Sequence, residues 1–268
     1  MKASKKNIII YCVNYNSYDY LHCYLLSVEK SMKEANSAVD VHVVVADNSA
    51  PVIPISYTPK NFSLHILPTG QNLGYLGAVR YAMTEIEPAD YDYIIISNVD
   101  VVLSQNFFTS LASHQTKKDM GWIAPAILSE THHFDFNPQA ISRYSLRKMR
   151  LLRLMFKYPI LLRLKKKLLH NINRIQNCKT GQIYAGHGSF IILTKEYIKH
   201  CGIINYPVFL FGEEIFLAEV CRKNRLKVIY VPSIIVNDIG SVSTGKITSC
   251  HFCKYNYEAI NYLIKTFY

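Results

Sequence analysis

Short apolar runs alternate with amphipathic segments over the first hundred residues. Four runs rich in β-branched and aromatic side chains predict strands at 7–13, 39–46, 62–67 and 93–96. In 20–33 and 78–86, apolar side chains recur every three or four residues, which predicts helices. Continuous apolar runs are typical of strands covered on both faces of a partly parallel sheet. The order β-α-β-β-α-β predicts a nucleotide-binding α/β half over residues 1–103.

The rest of the chain predicts similar elements at wider intervals. We expect strands at 121–128, 190–193 and 227–231, a helix at 215–225, a polar loop at 236–244 and an amphipathic helix at 252–268. No internal repeat or low-complexity linker divides the chain. We therefore interpret residues 1–245 as one domain with a basic helical insertion at 143–172, followed by a C-terminal amphipathic helix within 246–268. The predicted fold class is α/β, a Rossmann-like three-layer sandwich around a mixed central sheet.

Polar clusters follow three of the predicted strands: Asn14-Tyr15-Asn16, Asp47-Asn48-Ser49 and Asn98-Val99-Asp100. If these strands run parallel, the clusters meet at one edge of the sheet, where open α/β sheets bind ligands. A turn explains one such cluster, whereas three that converge favour a ligand site. Asp100 alone allows two interpretations. It is either a ligand of Mg²⁺ or Mn²⁺ completed by phosphate oxygens and water, or a strand-ending residue that accepts backbone N–H bonds.

Other side chains near these clusters suggest further roles. Asp47 has oxygens that can accept the N3–H of a uracil or thymine ring, and Tyr15 has a face that can stack on it. Glu213 and Glu214 are adjacent at a predicted helix start, where the helix dipole alone explains either one. Because neighbouring side chains there point in different directions, we expect only one of them to face a substrate.

Basic residues are concentrated in one segment. The formal net charge is +11, and residues 136–195 contain 13 Lys and Arg but no Asp or Glu, so the rest of the chain is nearly neutral. Pro159 separates two predicted helices that carry cations and apolar residues on different faces. This pattern suits an anionic membrane surface bound through 143–170. Nucleic acid is disfavoured because stacking aromatic side chains are sparse, and a solvated face over a small local core remains the alternative.

Cysteine usage and hydropathy indicate a cytoplasmic protein. The seven cysteines are odd in number and scattered, which fits reduced thiols. Cys250 and Cys253 lack a second pair at zinc-finger spacing. No apolar run approaches the roughly 18 residues that span a bilayer, and 8–13 is too short for a signal-peptide core. We expect a cytoplasmic location, peripheral at the inner face of the membrane if the basic segment binds lipid.

The order of motifs resembles bacterial glycosyltransferase family 2, of the rhamnosyltransferase-like kind, which has the GT-A fold. The similarity extends over roughly residues 7–245, and its ordered set is more specific than any single motif. It rests on Tyr15-Asn16, Asp47-Asn48, Asn72-Leu73-Gly74, Asn98-Val99-Asp100, Gly188-Ser189, Glu213-Glu214 and the loop beginning at Asp238. Two positions depart from the family pattern, with Glu214 where Asp is usual and Asp238 where His often stands.

The resemblance implies an inverting transfer from a UDP- or dTDP-linked sugar to a hydroxyl of a glycan or lipid-linked acceptor in surface polysaccharide biosynthesis. A divalent cation, Mg²⁺ or Mn²⁺, bound by Asp100 and Asp238 would screen the departing diphosphate. Glu214, beside Glu213, would act as the general base. The donor-binding residues would be Tyr15, Asn16, Asp47, Asn48, Asn72, Gly74, Arg80, Asn98 and His187.

Two rival functions stay open. A nucleotidyltransferase of similar fold would need a basic phosphate-binding loop near the N-terminus, and residues 14–20 contain no Lys or Arg. A non-catalytic, basic surface-binding module with a degenerate GT-A core would not turn over nucleotide sugars at all. Detectable hydrolysis of a nucleotide sugar separates this second rival from an enzyme.

Overall fold

The computed structural model describes residues 5–131, 133–161, 178–240 and 248–268. The second predicted basic helix and most of the polar loop after Asp238 lie outside them. The strands within the described residues are β1 Lys6–Asn14, β2 Val39–Asp47, β3 Ser63–Pro68, β4 Tyr93–Asn98, β5 Val101–Leu103, β6 Met120–Ser129, β7 Gly181–Ile183, β8 Phe190–Thr194 and β9 Lys227–Asp238. The helices there are α1 Tyr18–Ala35, α2 Tyr75–Glu85, α3 Phe107–Ser113, α4 Leu146–Lys157, α5 Lys195–Cys201, α6 Glu213–Lys223 and α7 Ser249–Phe267.

All these strands join one mixed sheet in the order β3-β2-β1-β4-β8-β6-β9-β5, and β7 pairs with β9. Strands β1 to β4 run parallel to one another. Strand β8 runs antiparallel to β4 and β6, whereas β6 and β9 are parallel. The predicted parallel half and the mixed sheet are thereby confirmed. The carboxyl ends of β1, β2 and β4 meet at one edge, as the polar clusters required.

Two cores lie on opposite faces of the sheet. Along β1, Ile8 and Ile10 belong to the core beneath α1 and α3, whereas Ile9 and Tyr11 belong to the core beneath α2, α6 and α7. Each of these four side chains is fully buried. Burying one side chain of this size contributes about 1.5–3 kcal/mol, so both faces must be apolar. This two-sided burial is why the sequence shows continuous apolar runs.

Strand β9 is longer than the sequence predicted. We expected it to end at Val231, with a polar loop beginning at residue 236, but the strand continues to Asp238. Its pairing with β6 shifts register between Val231 and Ile235. This bulge accommodates Pro232 and Ser233, which interrupt the apolar pattern and resemble a strand end in the sequence.

The predicted amphipathic helices are present as α4 and α7, and they pack against each other. Helix α7 also contributes to the core that contains Ile9 and Tyr11, where Ile260 and Leu263 are buried. Phe252 of α7 contacts Phe156 of α4 and Phe211, with ring centroids 5.9 and 5.1 Å apart. None of the helices in the described ranges is both long and apolar enough to cross a membrane.

Candidate active site

Buried hydrogen bonds join the ends of β1 and β2. Asp47 Oδ1 accepts bonds from Asn14 Nδ2 at 3.0 Å and from the Ser49 N–H at 3.1 Å. Its Oδ2 accepts a bond from the Tyr18 hydroxyl at 2.9 Å. Asp47 is fully buried, and these bonds compensate for a carboxylate that is costly to bury without partners. The first two polar clusters are thus brought together, while the contact of Asp47 with a nucleobase stays a prediction.

Asn48 connects β2 to the turn before α2. Its Nδ2 donates to the Gly74 carbonyl at 2.9 Å, and its Oδ1 accepts from the Leu73 N–H at 3.3 Å. Asn72 Oδ1 accepts from the Gly74 N–H at 2.9 Å. Gly74 has a φ of +76°, and a Cβ there would overlap the carbonyl oxygen of Phe209. The Asn-x-Gly turn is therefore packed tightly against the segment that leads into α6.

The backbone segments that carry Asp100 and Asp238 are neighbours at the β5–β9 pairing. Asp238 is the register partner of Val101, and the Asp100 carbonyl accepts a bond from the Ile239 N–H at 3.1 Å. Both acids are buried. The backbones of these two residues are therefore close, even though 138 positions separate them in the sequence, and their joint binding of a metal ion stays a prediction.

The chemistry of this pair fits a divalent cation. Carboxylate oxygens are hard ligands that suit Mg²⁺ and Mn²⁺. Across 5–131, 133–161, 178–240 and 248–268, no group of three or more His, Cys, Asp or Glu side chains is arranged to hold a metal ion. An ion held by these two carboxylates would take its other ligands from phosphate oxygens and water. Such a site suits an ion that binds together with a phosphorylated ligand.

Glu213 and Glu214 begin α6, and both side chains converge on Gly188. A Cβ on Gly188 would lie 2.9 Å from Oε1 of Glu213 and 3.1 Å from Oε1 of Glu214. The Gly188 N–H also donates to Glu214 Oε1 at 3.3 Å. Both carboxyl groups therefore lie near the same point, and the expectation that only one of them faces a substrate stays a prediction. The missing side chain at Gly188 leaves a space toward which both carboxyl groups turn.

The surroundings of this acidic pair favour a bound proton. Burial raises the pKa of Glu213 to about 8, and the neighbouring charge of Glu214 adds to the shift. Burial also raises the pKa of Glu214, although backbone N–H groups, including that of Gly188, act in the opposite direction. The helix dipole favours the charged forms but does not outweigh burial. Near neutral pH the pair therefore retains a proton, as catalytic carboxyl groups often do.

Tyr75 connects the two acidic sites. Its hydroxyl donates to the Gly188 carbonyl at 2.9 Å. Burial raises the pKa of Tyr75 well above its ordinary value, and the charges of Glu213 and Asp100 raise it further. A neutral phenol thus lies within electrostatic range of both acids. The sequence pattern places Tyr75 in the turn before the helix predicted at 78–86 and gives no sign of its contact with Gly188, which arises because α2 begins at Tyr75.

His187 lies beside Gly188 in a defined orientation. Its Nδ1 is 2.9 Å from the Ser189 hydroxyl, and its ring stacks on Phe136 with centroids 4.9 Å apart. The His187 N–H donates to Asn137 Oδ1 at 2.7 Å. The Ser189 carbonyl accepts a bond from the Asn98 N–H at 3.0 Å. The third polar cluster and the Gly-Ser motif therefore meet at the end of β4.

Three predicted donor-binding residues lie farther out. Tyr15 is exposed, and Asn16 has a φ of +51° with its N–H donating to the Ser49 hydroxyl at 2.8 Å. Arg80 is exposed on α2 and lines a groove of about 510 Å³ together with 206–209. No other predicted donor-binding residue lines this groove. The structure thus places Tyr15 and Asn16 at the strand ends and Arg80 apart from them.

No protein-family model matches the chain, and no curated protein matches it in sequence. Three solved structures are similar in fold. GalNAc-T7 with UDP, GalNAc and Mn²⁺ has a TM-score of 0.54 and 11% identity, over 90% of this chain and 45% of that one. TarS of S. aureus has a TM-score of 0.53 and 11% identity, over 95% and 43%. The mannosyltransferase PcManGT from Pyrobaculum calidifontis, with GDP-Man and Mn²⁺, has a TM-score of 0.52 and 10% identity, over 90% and 59%.

These similarities concern the fold. The chain spans about half the length of the solved structures it matches, and its identity to them is low. The mixed sheet with a parallel half and helices on both faces agrees with their architecture. The chain therefore has the GT-A fold of glycosyltransferases.

Proposed function

We propose that this protein is a metal-dependent, inverting glycosyltransferase of the family 2 type. It transfers a sugar from a UDP- or dTDP-linked donor to a hydroxyl of a glycan or lipid-linked acceptor in surface polysaccharide biosynthesis. One observation carries the proposal: the two carboxyl groups at the start of α6 converge on Gly188, next to Ser189, whose carbonyl accepts a bond from Asn98 at the end of β4. Sugar transfer from a diphosphate needs a proton acceptor close to a cation site. The similar folds solved with UDP or GDP-Man and Mn²⁺ support such a donor.

Asp100 and Asp238 would hold the divalent cation. Their adjacency across β5 and β9 and their burial support this role. The bound ion supplies electrostatic stabilisation of the departing nucleoside diphosphate. Asp238 replaces the His that often stands at this position in the resembling family, and a carboxylate is an equally suitable ligand for a hard cation.

Glu214 is the proposed general base. It removes the proton from the acceptor hydroxyl while that oxygen forms a bond to the anomeric carbon of the donor. The bond from this carbon to the diphosphate breaks, and the diphosphate leaves with the electron pair. Attack opposite the leaving group inverts the anomeric centre. Glu213, with its pKa raised to about 8, keeps a proton near neutral pH and limits the repulsion between the two carboxyl groups.

The strand ends of β1, β2 and β4 form the proposed donor site. Asp47 accepts three hydrogen bonds from the protein, and a carboxylate has about four acceptor positions, so one remains for a uracil or thymine N3–H. Tyr15, exposed at the same edge, supplies a stacking surface. In this proposal, the turn 72–74, Asn98 and His187 would face the sugar and the phosphates of the donor.

The test is release of nucleoside diphosphate from a panel of UDP-, dTDP- and GDP-sugars, with Mn²⁺ or Mg²⁺. We expect release from at least one donor and its loss when the cation is chelated. Asp100→Asn should lose both release and the cation-dependent thermal shift by the donor, since an amide is a weaker ligand for a hard cation. Asp119→Asn, which removes only an exposed ion pair with Lys227, is the matched control.

Two outcomes contradict the proposal. Pyrophosphate release from a nucleoside triphosphate and a sugar phosphate, without use of nucleotide sugars, identifies a nucleotidyltransferase. If no donor gives nucleoside diphosphate release or a thermal shift of the protein with either cation, the protein is a non-catalytic module.

A further inference from the structure

Helix α4 buries only one of its faces. Met149 and Met155 are buried, and Phe156 packs on α7. Leu151 and Leu154 lie on the other side of the helix, and residues 158–161 follow directly after its end at Lys157. Five large apolar side chains in this region are exposed: Leu151 by 57%, Leu154 by 46%, Tyr158 by 48%, Ile160 by 68% and Leu161 by 37%. We call Arg147, Arg150, Lys157 and these five residues the outer face of α4.

The cations of the outer face are interleaved with its apolar side chains. Arg147, Arg150 and Lys157 are exposed, and helical spacing puts them on the side of Leu151 and Leu154. None of the three forms an ion pair with an acid of the described residues. Residues 136–195 contain no Asp or Glu. The outer face is therefore both apolar and uniformly positive.

We propose that the outer face of α4 is a docking surface for an anionic lipid bilayer. Exposed leucines and isoleucine gain from leaving water, and the flanking cations gain from negatively charged headgroups. A solvated helix would explain the cations but not five exposed apolar side chains in one region. Single-stranded nucleic acid would require stacking aromatics, and Tyr158 is the one aromatic residue of the outer face. This inference is independent of the proposed catalytic activity.

The first test is flotation of the full-length protein with phosphatidylcholine vesicles, with and without phosphatidylglycerol. We expect binding only to the anionic vesicles and a decrease with added salt. Arg150→Gln combined with Lys157→Gln should weaken binding about 25-fold, roughly five-fold for each cation removed. Lys117→Gln combined with Lys118→Gln removes the same charge from an exposed site away from α4 and should leave binding unchanged.

The second test separates insertion from adsorption. Trp122 is the one tryptophan of the chain and is fully buried, so a tryptophan introduced on the outer face reports on its own surroundings. The emission of Leu154→Trp should shift to shorter wavelength with anionic vesicles and be quenched by brominated lipid. Leu26→Trp, at an exposed apolar position on α1, should show neither effect.

Three results would overturn the inference. One is the absence of wild-type protein from the floating fraction at low salt. Another is equal loss of binding in the Lys117/Lys118 control, which would indicate attraction by net charge alone. The third is salt-sensitive binding to a single-stranded oligonucleotide without binding to vesicles. Circular dichroism of each variant verifies that its fold is retained.

Discussion

Gly188 determines how the acidic pair is arranged. Any side chain there would lie 2.8 Å from Glu213 Cγ and 3.1 Å from Glu214 Oε1. Two carboxyl groups that converge on one point in a partly enclosed site repel each other when both are charged. Burial raises the pKa of both residues, and the charge of Glu214 adds to the shift of Glu213.

The raised pKa of Glu213 predicts a pH-dependent stability. Since the folded-state pKa is about 8 and the ordinary value is 4.5, folding favours the protonated acid. Below pH 4.5, Glu213 is protonated in both the folded and the unfolded chain, so its raised pKa costs no stability. As the pH rises from 4.5 towards 8, the unfolded chain loses this proton while the folded protein keeps it, and the free energy of unfolding decreases. Glu213→Gln should therefore raise the free energy of unfolding by about 1–3 kcal/mol at pH 9 and leave it nearly unchanged at pH 4.5.

Denaturant titrations at both pH values measure this difference. Glu85→Gln, at an exposed position on α2, is the matched control and should have no effect at either pH. Equal effects of Glu213→Gln at both pH values would mean that Glu213 is not held in its protonated form.

At the scale of elements, the turn before α2 holds the segment that leads into α6. Gly74 has a positive φ, and Phe209 lies directly against it. Tyr206, in the same segment, donates its hydroxyl to the Phe211 carbonyl at 2.7 Å. Phe211 and Gly212 both have positive φ values and immediately precede Glu213. The position of the acidic pair thus depends on contact between two turns that are distant in sequence.

Replacement of Gly74 tests this dependence. Gly74→Ala should lower stability by about 3 kcal/mol or more, because a strained backbone combines with overlap against Phe209. Gly70→Ala is a close control, since Gly70 has a φ of +72° with no atom within 4 Å of the added Cβ. It should cost only about 1–2 kcal/mol. Equal losses in the two variants, measured by chemical denaturation, would exclude a specific role for the Gly74–Phe209 contact.

The sequence predicted those strands and helices that are defined by a local hydrophobic pattern. The continuous run of β1 required burial on both faces, and α4 followed from its helical periodicity. The full length of β9 was not predictable, because Pro232 and Ser233 form a bulge only when β6 lies beside them. The short elements β5, β7, α3 and α5 are likewise defined by tertiary pairing and packing more than by their own sequence.

In the whole molecule, the sheet order brings together segments that are distant in sequence. Strand β9 pairs with β5, which places the backbone of Asp238 beside that of Asp100. Strand β8 pairs with β4, so the loop containing His187 and Gly188 meets the end of the parallel half. The sequence predicted the strand ends with their polar clusters and the acidic residues of the candidate site. The roles of Tyr18 and Tyr75, and the convergence on Gly188, arise only from this tertiary arrangement.

In the proposed function, the acidic pair at the start of α6 supplies the general base for sugar transfer. Steady-state kinetics of Glu214→Gln and Glu213→Gln, with the donor identified by the panel, test it most directly. Glu214→Gln should bind donor and cation normally but lower kcat about 10²- to 10⁴-fold, the usual contribution of a general base. Glu213→Gln should retain far more of kcat. Collapse of kcat in Glu213→Gln alone would reverse the two roles, and near-normal kcat in both variants would contradict the claim.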